Sequence, residues 1–290
     1  MKTKFQLLVS VSLLATAFSV GAAEPPTPTP TPMSKGATSK LADAALAAAV
    51  ASTQRPAAER ERDRYRHPLA TLSFFGVRPD MTVVEIWPST GWYSQILAPY
   101  LREHGHYYAA GAPASLPNAS AETKQSVAAL QQIFTADPAR FGTPTLTEFR
   151  PPLRVDIAPP ASADLVLSFR NVHNWIAGDY EQAAFDCFFA ALKPGGRLGI
   201  VEHRGKPGES LDEMKKSGYV SEAYIKALAH NSGFEFVAES GINNNSKDRK
   251  DYPEGVWTLP PTLTLGDKDR AKYLAIGESD RMTLKFRKPG

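Results

Sequence analysis

The chain predicts an α/β protein built on a mainly parallel sheet with helices on both faces, and two stretches carry that reading. From Met81 to Leu101, MTVVEIWPSTGWYSQILAPYL runs from a β-branched strand through a glycine-containing turn into a helix with Ile96, Leu97, Tyr100 and Leu101 on one stripe. Ala163 to Phe169, ADLVLSF, is a second strand. Like Val83, Val84 and Ile86 of the first, it is apolar on both faces, the pattern of strands buried inside a parallel sheet. With 290 residues, 42% hydrophobic and 22% charged, the chain is long enough for one large domain of this class with extensions, and a second domain is not required.

Residues 1–23 carry a basic start, an apolar run from Leu7 to Val20 and the small residues Gly21, Ala22 and Ala23, the layout of a secretory signal peptide. That run falls short of the roughly twenty residues needed to span a bilayer. The protein is therefore expected to be exported, to the periplasm or beyond it, with no transmembrane anchor in the mature chain. Residues 24–40, EPPTPTPTPMSKGATSK, alternate Pro and Thr and read as an extended linker. Residues 41–80 read as an N-terminal helical extension. It holds an alanine-rich helix from Leu41 to Ser52 and a charged helix from Ala57 to Arg66 with a solvated face. His67-Pro68 breaks the second, and a short helix from Leu69 to Phe75 follows.

Residues 81–290 form the main domain. After the opening unit, His106 to Ala110 reads as a second strand ending at Gly111, Ala121 to Thr135 as a helix, and Thr145 to Phe149 as a third strand. Ala163 to Phe169 is the fourth strand. An amphipathic helix follows from Asp179 to Lys193, with Asp179 placed as its N-cap. The turn Lys193-Pro194-Gly195-Gly196 feeds a fifth strand, Arg197 to Glu202. Ser221 to Asn231 is a helix stopped by Gly233, Phe234 to Glu239 a sixth strand, and Arg281 to Arg287 the last. Residues 241–279 are too polar and proline-rich for a strand pair and are expected to fold over one end of the sheet.

Formal net charge is +3, two units of which belong to Lys2 and Lys4, leaving +1 once the leader is gone. That argues against a nucleic-acid partner, which needs a basic face. The single cysteine, Cys187, lies among Phe185, Phe188 and Phe189 and reads as a buried structural thiol. His104 and His106 match no zinc spacing, and no metal is expected.

Three segments, EIWPSTGW at the first strand, DLVLSFRNVHNW at the fourth and LKPGGRLGIVEHR at the fifth, make the chain resemble the class I S-adenosylmethionine-dependent methyltransferases from about Tyr65 to the C-terminus. Arg170-Asn171-Val172 resembles the corresponding stretch of the quinone-biosynthesis C-methyltransferases. With RYRHP, GVWTLPP and SDRMTLKFRKP, the pattern is more similar still to a group of exported bacterial proteins regarded as methyltransferases. The resemblance implies a Rossmann-like seven-stranded sheet of order 3-2-1-4-5-7-6 with an antiparallel last strand. It places cofactor over the tips of strands one and two, and substrate over four and five. Carried onto this sequence, Glu85 matches the acid that opens the cofactor motif and Gly91 its last glycine, while Trp87 and Ser89 stand where the first two glycines usually are. Asp156 stands where an adenine-contacting acid is often found, and Arg170 and Asn171 border the cofactor. At the tip of strand two, Gly111, Ala112 and Pro113 provide no carboxylate for a ribose.

Three readings of Trp87 stand open: a ring that stacks on a flat ligand, a plug in the cofactor site, or a core residue. His173 and His203 are the general-base candidates because a histidine titrates near neutrality. Trp175, Tyr252 and Trp257 are the candidate walls of a substrate pocket. The function expected is methyl transfer from S-adenosylmethionine to a small-molecule or lipid-like acceptor. The alternative is a non-catalytic exported protein that binds an aromatic or nucleoside-like small molecule on a degenerate methyltransferase scaffold.

Overall fold

A computed structural model describes residues 35–290. The expected signal peptide and most of the Pro/Thr linker lie outside the described residues. The linker's last six residues do not: the first helix, α1 (Lys35–Ala51), begins within them, because nothing after Pro32 blocks a helix. The charged stretch forms two short helices, α2 (Ala57–Arg60) and α3 (Asp63–Arg66), and α4 (Pro68–Phe75) follows. Its expected solvated face is only partly solvated. Arg55 and Arg66 are 1% and 2% exposed, Arg55 being held by Asp63 (2.8 Å) and Arg66 by Glu278 (3.2 Å).

The main domain opens with β1 (Thr82–Ile86), α5 (Ser94–Leu101), β2 (His106–Gly111), α6 (Ala121–Ala136), α7 (Pro138–Phe141) and β3 (Thr145–Glu148). It continues through β4 (Ala163–Phe169), α8 (Val172–Ala177), α9 (Glu181–Ala191), β5 (Leu192–His203), α10 (Leu211–Ser217), α11 (Glu222–Asn231), β6 (Glu235–Ser240), α12 (Arg270–Ile276) and β7 (Arg281–Arg287). The strands form one sheet of order β3-β2-β1-β4-β5-β7-β6. All pairings are parallel except those of β7, which runs antiparallel to both β5 and β6.

Alternation along each strand sends side chains into two separate cores. Val84, Ile86, Val166 and Ile200 pack with Trp175, Phe185 and Phe188 on one face of the sheet. Val83, Leu165, Leu167 and Val201 pack with Leu72, Phe75, Ile96 and Leu97 on the other. At Gly199 the sheet and α4 approach so closely that a Cβ would lie 2.8 Å from the Phe75 ring, so only glycine fits. Leu192 to Gly196, expected as a turn before a strand starting at Arg197, is instead the first part of β5, and Gly195 N–H there donates to Lys288 O (3.0 Å).

One cap differs from expectation. Asp179 stands outside α9 in a left-handed conformation (φ 58°), and Tyr180 takes the N-cap position without a side-chain bond. The reason is α8, which sequence periodicity does not reveal. It ends at Gly178, and the chain reverses through Asp179, whose carboxylate accepts from Lys215 instead. Among the described residues no helix is long and apolar enough to cross a membrane.

Candidate functional site

In a parallel sheet the strand order reverses between β1 and β4, and the crevice at their carboxyl ends is where ligands sit. A cavity of about 240 Å³ opens there. The β1 turn contributes Trp87, Ser89 and Tyr93, the β4 tip Phe169, Arg170, Asn171 and His173, and β5 contributes His203. Trp257, Pro260 and Pro261 come from the 241–279 segment, and Arg66 from the helical extension.

The β1 turn keeps a glycine-type backbone without the glycines. Trp87 (φ 48°), Ser89 (φ 55°) and Gly91 (φ 90°) are all left-handed, a conformation that costs a non-glycine residue roughly 1–3 kcal/mol. Arg170 at the β4 tip is left-handed as well (φ 62°), pinned by its N–H donating to Val201 O (2.7 Å). Asn171 ties the two tips together, its Nδ2 donating to Ile86 O (2.8 Å). Strain concentrated on the two strand ends that face each other marks a functional edge.

Glu202, fully buried, organises the two histidines. Its Oε2 accepts from Val172 N–H (2.6 Å), and its Oε1 accepts from His203 N–H (2.8 Å) and lies 3.0 Å from His173 Nδ1. A proton on His173 Nδ1 directed at this carboxylate leaves Nε2 as an acceptor. His203 Nδ1 lies 2.6 Å from Ser279 Oγ, which leaves its Nε2 for the cavity. The two rings sit 5.1 Å apart. Burial, and then its charged surroundings, Arg170, Arg281 and Arg66 among them, hold His203 well below the usual histidine range, so its imidazole is neutral.

The ligand atoms of His173, Glu202 and His203 lie within 4.8 Å of one another, a set that can in principle hold a metal ion. Two physical facts oppose a cation there. Glu202 is already saturated by N–H donors, and Arg170, Arg281 and Arg66 place the site in a positive field.

A second charged network backs the cavity. Glu278 receives Arg62 (2.7 Å), Arg66 (3.2 Å) and Arg281 (3.1 Å), and although burial opposes it, these guanidiniums hold its carboxyl down at about 2. Burial pushes Arg66 down to about 9. Arg66 and the Glu278 centre were invisible in sequence, because their members are separated by more than two hundred residues. The only signal was the density of arginine before His67.

No protein-family model matches the chain, and no curated protein matches it. Solved structures do. A SAM-dependent methyltransferase from Aquifex aeolicus superposes with a TM-score of 0.51 at 13% identity, over 78% of this chain and 92% of the other. The [4+2]-cyclase SpnF superposes with a TM-score of 0.52 at 12% identity, over 86% and 94%. The chain has the class I methyltransferase fold. At such identities the likeness speaks for the fold, and the two matches, described as a methyltransferase and a cyclase, illustrate that this fold carries more than one chemistry.

Against that fold, the placed residues fit the implied cofactor unevenly. Glu85 is tied into the protein through one carboxylate oxygen, Oε2, and also lines the cavity. It accepts from Tyr107 Oη (2.5 Å) and Ser94 Oγ (3.1 Å), and burial raises its carboxyl to about 7. Trp87 sends its indole toward the end of β3, where Nε1–H donates to Phe149 O (2.8 Å) and the ring meets Trp175 edge-on at 6.2 Å. Phe149 N–H in turn donates to Gly111 O, so the indole lies beside the β2 tip, where a class I methyltransferase fold would seat the adenosine half. The cavity itself is lined by Pro88 and Ser89 of the turn and by Arg170.

Three expected site residues lie elsewhere. Asp156 is exposed on a loop close enough to Cys187 to act on that thiol electrostatically, and it does not line the cavity. Trp175 is fully buried between Trp87, Phe149 and Phe188 and is core. Tyr252 points away, its hydroxyl accepting from Arg249 N–H and its ring packing on Tyr273. Cys187 is half-buried, with its thiol pushed up to about 11 by burial, which leaves it protonated and unreactive at neutral pH.

Proposed function

We propose that this chain transfers a methyl group from S-adenosylmethionine to a small-molecule or lipid-like acceptor, and that it does so as an exported, periplasmic protein. The observation that carries the reading is the β1 turn. Residues that resist left-handed backbone are nevertheless held in it at positions 87 and 89, and the turn opens onto a cavity furnished with a neutral imidazole and a guanidinium. When bound, the cofactor supplies an electrophilic methyl group. This chain's own residues then have definable tasks. His203 Nε2 takes a proton from an acceptor hydroxyl or amine, and the Glu202–His173 pair fixes the second imidazole beside it. Arg170 and Trp257 hold and orient the acceptor, and orientation carries much of the rate.

Calorimetry of the purified chain with S-adenosylmethionine and with its demethylated product tests this. Absence of heat at millimolar ligand refutes it. Trp87→Gly removes the indole from the adenosine side and relieves the strained backbone, so affinity for the cofactor should rise at least tenfold. Unchanged affinity means that the cofactor binds elsewhere. Fusing residues 1–30 to a periplasmic reporter checks export, and cytoplasmic retention of the reporter counts against it.

A second reading is favoured by one observation, the Trp87 indole beside a β2 tip that has no carboxylate. On it, the protein binds an aromatic or nucleoside-like compound without transferring a methyl group. Binding of such a compound by a protein that stays silent toward S-adenosylmethionine, in wild type and Trp87→Gly alike, selects this reading.

A further inference from the structure

We infer that the ligand of this cavity is a small aromatic acid whose anionic group pairs with Arg170. The inference is shared by both functional readings, the aromatic acid being the acceptor in the first and the bound compound in the second.

Charge is the first ground. The ionisable carboxylate and guanidinium groups lining the cavity are Arg66, Arg170 and Glu85. Arg66 is committed to Glu278, and Glu85 Oε2 accepts from the hydroxyls of Tyr107 and Ser94. The Arg170 side chain makes no hydrogen bond or ion pair within the described residues, and it is the fourth guanidinium around the single carboxylate of Glu278. Arg170 is half-buried, and a guanidinium that shares one carboxylate with three others is under-compensated, a cost that an anion delivered by a ligand lowers. A planar guanidinium presents a two-pronged donor face to carboxylate or phosphate oxygens.

Placement is the second. Arg170 holds a left-handed backbone at the β4 tip, so the fold tolerates strain at the residue that carries the free charge.

The third ground is shape. Tyr93 and Phe169, stacked on each other at 3.6 Å with an 11° interplanar angle, share the lining of the cavity with the rings of Trp87 and Trp257, so aromatic faces stand between its polar groups. An apolar cavity of about 150 Å³ holds benzene. About 240 Å³ therefore takes one ring with a substituent or two. His203 lines the same space and, with Nδ1–H donating to Ser279 Oγ, presents Nε2 to accept from a ring hydroxyl.

The test titrates the purified chain, without S-adenosylmethionine, with benzoate, phenyl phosphate and benzyl alcohol, a neutral match in size. Either anion should bind at least tenfold more tightly than the alcohol, and the benzoate-to-phenyl phosphate ratio tells which anion the site prefers. Arg170→Gln should erase the preference while leaving benzyl alcohol binding unchanged, and Arg170→Lys should restore much of it. A measurement on the wild type guards against a variant that fails to fold: raising salt should weaken the anion and not the alcohol. Equal affinity for all three ligands, a preference that survives Arg170→Gln, or equal salt dependence each overturns the inference. Because no cofactor is added, these outcomes are separate from success or failure of the methyl-transfer reading.

Discussion

Replacing Glu85 by glutamine tests whether this carboxyl serves the fold or a ligand. Glu85 is 3% exposed, and its hydrogen bonds come from Tyr107 and Ser94. Its folded value is raised from 4.5 to about 7, with burial as the dominant cause. A raised value means that the folded state favours the protonated acid. The resulting stability is fully present below pH 4.5 and is lost as pH rises through about 7. At about 1.4 kcal/mol per pH unit across that window, ionisation withdraws roughly 3 kcal/mol. Glutamine is nearly isosteric, still accepts from Tyr107 and cannot ionise. The variant should match wild type at pH 4 and exceed it by about 3 kcal/mol at pH 8. For a chain of this size that corresponds to roughly 6–12 °C in melting temperature. Urea unfolding followed by tryptophan fluorescence at pH 4, 6 and 8 measures it. A difference between the two proteins that does not change with pH would falsify the account, since Glu85 would then be a solvated carboxylate available to a ligand.

The remaining predictions concern the other buried charges and the turn. Glu278→Gln leaves Arg66 and Arg281 buried without their counter-charge and should cost about 3–5 kcal/mol in chemical denaturation at pH 7. Because the Glu278 value is depressed to about 2, its stabilisation is present above pH 4.5 and lost as pH falls through about 2, so the gap between variant and wild type should shrink on acidification. His203 should stay neutral from pH 8 to pH 5.5 by NMR, and the stability it contributes above pH 6.5 should fall on acidification; a ring titrating near 6.5 counts against it as a buried neutral base. Gly91→Ala puts a Cβ 2.7 Å from Leu130 Cδ1 at φ 90° and should lower stability by about 2–4 kcal/mol on a thermal melt, whereas a loss within 0.5 kcal/mol contradicts the strained turn.

The sheet was legible before the structure because its signals are local. Apolar-on-both-faces strands at Thr82–Ile86 and Ala163–Phe169 and the final strand at Arg281–Arg287 each depend on residues within a few positions of one another, whereas the antiparallel direction of that last strand was implied by the family resemblance. Helices were legible where periodicity ran for three turns, as in α6 and α11, and not where a single turn was set by tertiary contacts. α8 forms because Glu202, thirty residues onward, accepts the Val172 N–H at its start. The Ala57 to Arg66 stretch splits into two helices, with Arg62 and Arg66 both engaging a carboxylate at position 278.

The candidate site divides in the same way. Residue types at strand tips, His173, His203, Arg170 and Trp87, were determined by the sequence alone, since a parallel sheet delivers the ends of its strands to one edge. Which of those side chains are free was decided only by the tertiary structure. Glu85 has the right position for a ligand, yet one of its oxygens is already taken by a tyrosine from β2 and a serine from α5. Trp87 occupies a glycine position with a glycine's backbone, yet its indole is committed to the β3 end through Phe149 O. Arg66 reads as a solvated charge and is buried against the cavity, while Arg170 shares the charge of Glu278 with three other guanidiniums and makes no ion pair of its own among the described residues. Sequence pattern sets where a side chain starts, through periodicity and turn chemistry. Whether its polar atoms are already satisfied depends on groups brought together from distant parts of the chain, and that satisfaction separates a structural residue from one available for chemistry.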